Sequence, residues 1–416
     1  MQPDTSSRPA EKQQIDLRRY RRVRWFFFKI FLQTLWWDIL LNRPALRWFR
    51  PPALARWQAI ARRFRSLAVE MGGVLIKLGQ FLSVRVDILP VEVTQELAGL
   101  QDKVPPEPLE DVIAQIEADF GRPIAEIFEW FSPEPLGAAS LAQAHRVRLR
   151  SGEGAVVKVL RPGIDVLVET DLAAISLAFR WLRLYRRLSH RVNLDWLVEE
   201  FSTVTRRELD FEREAENAGR LAADFKNDPR LYLPEVYREY SSARTLALED
   251  VGYIRITDFE TIEDVGISRA KVADQLYTIY MQQVFETFFV HVDPHPGNLF
   301  VRPLPCEDEI RAGITGFGPG DPVPHVPDRP FQIVFIDFGM MAPVPARLRA
   351  ALREYVVGLG TRDAYKIVQA FVNAGTLLPG ADLKRLEEVH EALFERFWGW
   401  AWGSSEQWRS ERPGIL

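Results

Sequence analysis

The chain has 416 residues, enough for two or three domains, and with 47% hydrophobic and 26% charged residues it is globular in composition. One cysteine, Cys306, excludes a disulfide framework and a cysteine-based zinc cluster, and points to a reducing compartment. The net charge of −4 excludes a general nucleic-acid binder but hides an asymmetry, because Leu17 to Arg65 carries 13 Arg or Lys against one acid, Asp38.

Residues 1–16 form a polar tail. The basic, aromatic segment within 1–65 contains RWFFFKIFLQTLWWDILL, interrupted by Lys29, Gln33 and Asp38, so it is neither a membrane span nor a secretory signal. Pro44, Pro51 and Pro52 are expected to break it into short helices. Arg18, Arg22, Lys29 and Gln33 share one helical stripe, and Trp25, Trp36, Trp37, Trp48 and Trp57 crowd the region. Such a segment fits an anionic membrane surface. The competing expectation is that its aromatics pack on the rest of the protein.

Residues 66–134 read as a helical extension, with the turn VDILP and a proline break at VPPEP (104–108). Between 135 and 250 the texture turns to strand: HRVRLRSGEGAVVKVL is a hairpin signal, and TLALEDV (245–251) is a buried strand. A single long helix is expected from Leu194 to Phe225. In 251–416, a helix over Ala270–Phe289 precedes the loop FVHVDPHPGNLF. An insertion at 302–330 carries seven prolines and four glycines and is expected to be a mobile surface segment. FQIVFIDFG is a strand that ends at an acid, and the remainder is helical. There is no internal repeat.

Lysine is scarce, nine against 44 arginines, yet Lys77 and Lys158 lie inside the apolar runs VLIKLGQ and AVVKVL. A buried ammonium needs a carboxylate or a ligand anion; the alternative is snorkelling at an element's edge. RRELDFEREAEN supplies Glu208, Asp210 and Glu214, of which Asp210 and Glu214 share a helix face while Glu208 points elsewhere. These acids could instead form a solvated face paired with nearby arginines. Asp293 and Asn298 are five apart in a loop, and Asp337 ends a strand. That set suits magnesium on a nucleotide triphosphate, with one Asp left to orient a hydroxyl and take its proton. His291, Asp293 and His295 could alternatively ligate a hydrolytic metal, but the other histidines do not cluster in sequence with them.

Taken in order, these fragments resemble the UbiB/ADCK family of atypical protein-kinase-like proteins over roughly Ser66 to Gly360. The family's KxGQ motif matches Lys77 to Gln80, and its alanine-rich loop matches Gly137, Ala138, Ala139 and Ser140. Its strand lysine matches Lys158, its ExD motif Glu208 and Asp210, and its helix glutamate Glu214. Its catalytic loop matches Asp293 and Asn298, and its metal-binding DFG matches Asp337. Aminoglycoside- and choline-kinase-like phosphotransferases share the loop but lack KxGQ and ExD.

The resemblance implies an α+β, bilobal protein-kinase-like fold with a helical N-terminal extension, and lobes at 135–250 and 251–416. It implies ATP and Mg²⁺ as cofactors, with Asp293 catalytic, Asn298 and Asp337 as metal ligands, and Lys158 held by Glu214. Lys77, Gln80, Glu208 and Asp210 would be regulatory, Lys77 pairing with the ExD acids. The implied activity is an ATPase or a small-molecule or lipid phosphotransferase, in isoprenoid-quinone biosynthesis or lipid homeostasis, cytoplasmic and peripheral on a membrane. Lipid or quinone intermediates would be its partners, with no nucleic acid. An ATP-binding pseudokinase is the alternative. Conventional protein-kinase activity is disfavoured, because the loop reads His-Val-Asp and no APE-like sequence follows DFG. Gly137 departs from the family's usual alanine, the insertion is long, and further helices are expected beyond Ile415.

Overall fold

The computed structural model describes residues 15–41, 51–86, 88–98, 100, 105–183, 194–293, 295–377 and 380–401. Most of the polar tail, Pro44, Trp48, His190 and the region beyond Ala401 lie outside the described residues. Two compact units divide the chain: 1–272 with 294–340, and 273–293 with 341–416.

In the first unit, helix α1 (Leu17–Thr34) starts at Asp16, whose carboxylate caps the N–H groups of Arg18 and Arg19. It runs unbroken into a wide turn over Leu35–Leu40. Helix α2 (Ala53–Met71) begins directly after Pro51–Pro52, so the prolines mark a helix start here, and residue 65 lies inside it. Gly72 and Gly73 both take φ of 64° and reverse the chain into α3 (Val74–Ser83), followed by α4 (Val91–Ala98). At Gly73 a Cβ would fall 2.6 Å from a Leu167 methyl, so the turn also needs glycine for close approach.

Helices α5 (Leu109–Phe120) and α6 (Ile124–Ile127) lead into an antiparallel sheet. Its strand order is β1 (Phe128–Ala138), β2 (Ala142–Leu149), β3 (Gly154–Leu160) and β5 (Thr245–Glu249). The expected hairpin is β2–β3, paired from Ala142↔Leu160 to Arg148↔Gly154. Alternation puts Val147, Leu149, Ala155, Val157 and Val159 against α5, where they bury Val112 and Ile116. Lys158 therefore projects from the opposite face.

Helix α7 (Ile164–Leu182) follows, and then α8 (Leu194–Arg207) and α9 (Phe211–Asp224) replace the single helix expected there. The break has a local cause. Asp210 leaves helical geometry to accept the Arg213 N–H at 2.9 Å, starting a new helix. A second sheet orders β4 (Leu231–Tyr232), β9 (Phe331–Phe335), β8 (Leu299–Pro303) and β6 (Ile254–Arg255), with only β4–β9 parallel. Helices α10 (Phe259–Asp264) and α11 (Arg269–Gln282) lie between β6 and β8 in sequence.

Two long-range attachments were not expected. Arg19 forks onto buried Asp171 of α7 at 2.7 and 2.6 Å and also donates to the carbonyls of Met71 and Gly72. With Val23 buried and Phe26 and Phe27 against the core, α1 is an integral layer of this unit. The insertion, expected to be mobile, instead carries α12 (Glu307–Arg311) and closes around Arg329, whose side chain is 0% exposed. All five guanidinium N–H groups find acceptors: Glu309 twice, and the carbonyls of Val265, Leu304 and Pro324.

The second unit holds the C-terminal part of α11, a wide turn at Gln283–Thr287, and β7 (Phe289–His291) antiparallel to β10 (Met341–Pro343). Helices α13 (Ala346–Thr361), α14 (Ala364–Ala374) and α15 (Leu383–Ala401) complete it.

Candidate active site

Lys158 sits on β3 opposite Leu246 of the neighbouring strand, and its Nζ donates to Glu214 Oε1 at 2.6 Å. The side chains are 20% and 6% exposed, so the pair is largely withdrawn from water. A second donation runs from Lys158 to the Ile336 carbonyl at 3.3 Å. Burial alone would push the ammonium's pKa down, but the charges of Asp337 and Glu214 outweigh it and hold Lys158 protonated. Glu214 is pushed up by burial, with Lys158 opposing and the negative charge of Asp337 adding to the rise.

Helix α9 fastens this pair to the segment after β9. Glu214 also accepts the Phe338 N–H at 3.4 Å, and Asn217, one turn on, donates to the Phe338 carbonyl at 2.8 Å. Phe338 is fully buried. Asn217 was not singled out from the sequence; its spacing of three from Glu214 was the available signal.

Asn298 and Asp337 come together by register. Strand β8 starts right after Asn298 and β9 ends just before Asp337, with Leu299 opposite Phe335. The Ile336 N–H donates to the Asn298 carbonyl at 3.2 Å, so both oxygen-bearing side chains are carried at one end of the β8–β9 pair. The Gly339 N–H donates to Asp337 Oδ1 at 3.0 Å. A carboxylate beside a fixed ammonium, with an amide-bearing residue at the same end of the strand pair, is a residue set that suits Mg²⁺ held jointly with phosphates. His295 turns the chain into Asn298, its Nδ1 accepting the Gly297 N–H at 3.0 Å. Among the described residues there is no group of three or more His, Cys, Asp and Glu placed to hold a metal.

The alanine-rich loop closes β1 to β2. Ala139 N–H donates to the Ala142 carbonyl at 2.8 Å, and Ser140 is buried at the tip. A Cβ at Gly137 would meet nothing within 4 Å, so that position has room for the family's alanine.

Lys77 on α3 pairs with Glu208 at the α8–α9 break, both partly buried. The expectation of a Lys77 pair with an ExD acid thus holds for Glu208, while Asp210 serves as the helix cap. Gln80 donates to the Leu100 carbonyl at 3.2 Å. Gly79 lets that segment approach, since a Cβ there would lie 2.1 Å from a Leu100 methyl.

Asp293 belongs to the second unit, two residues beyond β7. There the His291 N–H is fixed by Gln283 Oε1 at 2.8 Å, and His291 is buried. Burial, followed by the charge of Asp293, pushes the Tyr280 hydroxyl's pKa up. No helix among the described residues is long and apolar enough to cross a membrane.

Residues 99–371 match the model of the ABC1 atypical kinase-like domain. The chain is 32% identical over 391 residues to a probable protein kinase UbiB of Marinobacter nauticus, covering 91% of this chain and 67% of that one. It is 34% identical over 381 residues to the same-named protein of Pseudomonas paraeruginosa, covering 86% and 66%. It is 32% identical over 341 residues to the chloroplastic protein ACTIVITY OF BC1 COMPLEX KINASE 8 of Arabidopsis thaliana, covering 82% and 41%. The chain thus spans between 41% and 67% of the length of these relatives. Among solved structures, a Mycobacterium tuberculosis protein in complex with erythromycin superposes with a TM-score of 0.51 at 22% identity, covering 82% of this chain and 79% of that one. That likeness concerns the fold.

Proposed function

The chain belongs to the ABC1 atypical kinase-like family, and from that premise we propose that it binds ATP with Mg²⁺ and transfers the γ-phosphoryl group to water or a small acceptor. The observation that carries the proposal is the Lys158–Glu214 pair, closed at 2.6 Å and carrying the field of Asp337. A buried ammonium fixed by a carboxylate, with further oxygen donors beside it, is a phosphate-holding arrangement and more than a structural ion pair requires.

Lys158 would contact the phosphates, Glu214 would hold Lys158 in place, and the loop Gly137, Ala138, Ala139, Ser140 would cover them. Asn298 and Asp337 would hold Mg²⁺, which supplies charge neutralisation between the phosphates when bound. Asp293 would orient the acceptor and take its proton. Lys77, Gln80, Glu208 and Asp210 would regulate the site, the Lys77–Glu208 pair fixing α3 to the start of the helix that bears Glu214. A role in isoprenoid-quinone biosynthesis or lipid homeostasis, with a lipid or quinone intermediate as acceptor, is supported by the UbiB names of the relatives. Peripheral attachment to an anionic membrane from the cytoplasmic side is supported by the exposed face of α1 and of the turn after it, where Arg18, Arg22, Trp25, Lys29, Leu32 and Trp36 recur at spacings of three and four.

Thermal shift and ATP hydrolysis test the assignment together. Asp337→Asn is expected to lose the Mg²⁺-dependent part of the ATP shift, and Asp293→Asn to keep the shift but lose turnover. A full Mg²⁺–ATP shift in Asp337→Asn would refute the metal assignment. Saturable ATP binding with no turnover on any lipid or quinone acceptor would favour a pseudokinase.

A further inference from the structure

We propose that Arg161, just after β3, is the positioning residue for the alanine-rich loop, and that a buried relay through Glu107, Gln143 and His145 keeps it in place. The inference rests on ATP occupying the Lys158 site and names what shapes the phosphate-facing part of that site.

Arg161 holds the loop at two carbonyls. Its backbone N–H donates to Leu141 at 3.0 Å, and its Nε donates to Ala139 at 3.0 Å. These carbonyls flank Ser140. With both drawn toward Arg161, the loop is braced on one side, and among the described residues Ser140 has no hydrogen-bond partner of its own. A loop without a glycine-rich sequence needs an external brace of this kind if its backbone is to be presented to an anion.

The guanidinium is oriented by its remaining donors, Nη1 to Glu107 and Nη2 to the Pro105 carbonyl at 2.9 Å. Glu107 is in turn fixed by its own N–H, which donates to Gln143 Oε1 at 2.8 Å. Gln143 Nε2 lies 2.8 Å from His145 Nε2, and His145 Nδ1 lies 2.9 Å from the Ser132 carbonyl. One proton arrangement satisfies every link. Nδ1–H of His145 donates to Ser132, its Nε2 accepts from Gln143, and the ring is neutral. Burial lowers the His145 pKa and keeps it so, against the Ser132 carbonyl. Gln143 and His145 are 2% and 0% exposed and point to the α5 face of the sheet, away from Lys158. They therefore cannot touch a nucleotide bound beside Lys158, and a direct catalytic role is excluded. They act through the loop.

Calorimetric titration of the full chain with ATP, ADP and adenosine, alongside amide exchange of the nucleotide-free protein, tests this. Arg161→Gln is expected to weaken ATP and ADP about tenfold or more, the effect of losing a charge-assisted hydrogen bond. Adenosine should bind as it does to wild type, and the Ala139 amide should exchange faster. Glu107→Ala should show the same pattern more weakly, and Glu107→Gln, whose amide oxygen still accepts from Arg161, should restore it. Equal loss of ATP and adenosine, unchanged ATP affinity despite a loosened loop, or no difference between Glu107→Ala and Glu107→Gln would overturn the proposal. If Arg161→Gln does not fold, the partly exposed Glu107 pair decides. Wild type that binds no nucleotide, yet shows the faster Ala139 exchange in the variants, would refute the ATP assignment while keeping the brace.

Discussion

Helix α1 is tied to α7 through Arg19, and the 302–330 insertion is closed on itself around Arg329, yet the two arginine ion pairs differ in electrostatics. Arg19 reaches the fully buried Asp171 and two carbonyls; Arg329, itself fully buried, reaches the more accessible Glu309 and three carbonyls. Asp171 is pushed up by burial with Arg19 opposing, whereas Glu309 is pulled down to about 2, chiefly by Arg329 and also by the Cys306 N–H. The same residue type thus anchors in two ways. At Asp171 the carboxylate is the buried partner that the arginine makes tolerable. At Glu309 the arginine is the buried partner that a near-surface carboxylate neutralises.

Removing Arg329 should have the largest effect. Arg329→Met removes the guanidinium that bridges Glu309 and the Val265, Leu304 and Pro324 carbonyls and breaks a largely buried ion pair from one side, a cost of about 3–5 kcal/mol. Denaturant unfolding should show it together with new proteolytic sites within 302–330. A loss below about 1 kcal/mol would mean that water replaces the guanidinium freely and the insertion is only loosely held. Arg19→Met should cost less, about 2–4 kcal/mol, because Asp171 can take up a proton once its partner is gone. Hydrogen exchange should then rise along Leu17–Thr34. Exchange that rises equally in the sheet would show that α1 and the sheet unfold as one cooperative unit.

Acid separates the two anchors by sign. The folded pKa of Glu309 is depressed, so its contribution is complete above its ordinary value near 4.5 and is lost as pH falls toward about 2. Asp171 has a raised folded pKa, so its own titration favours the folded state as pH falls from that raised value to its ordinary value near 3.8, and adds nothing further below it. Proteolysis of the insertion should therefore increase between pH 4.5 and 2, and Glu309→Gln should remove that increase. A pH-independent cleavage rate in wild type would contradict the Arg329–Glu309 assignment.

The sequence made the chemistry of the first unit legible because that chemistry is tied to strand register. Lys158 within AVVKVL and Asp337 after FQIVFI sit at positions that alternation and strand ends define. The break at Asp210 was missed because three residues of cap look helical when RRELDFEREAEN is read only for its period. The arginine anchors were invisible for another reason. Arg19–Asp171 spans 152 residues, and Arg329 is one of 44 arginines, so no local pattern marks either. The relay from Arg161 to His145 was hidden likewise, since a buried polar residue on a strand looks like any polar position until its partners are known.

Of the two expectations for the basic head, core packing is met by one face of α1, and membrane contact would fall to the opposite, exposed face. Arg19, Val23, Phe26 and Phe27 face inward, so deleting the segment would damage the core and would not test lipid binding. Substitutions on the outer face are the right probe, with Arg19 untouched. Trp25 on that face and Trp36 in the turn after it are 55% and 54% exposed, Lys29 lies 5.3 Å from the Trp25 ring centre, and Arg22 is partly neutralised by Glu70. A basic side chain near an anionic leaflet contributes about 1 kcal/mol, so Arg18 and Lys29 should count more than Arg22. The triple variant Arg18→Ser, Arg22→Ser, Lys29→Ser should bind phosphatidylserine vesicles roughly 30-fold more weakly while melting as wild type does. Wild-type binding should itself weaken as salt rises. Flotation of the variant equal to wild type, or binding indifferent to salt, would leave α1 as a packing element only.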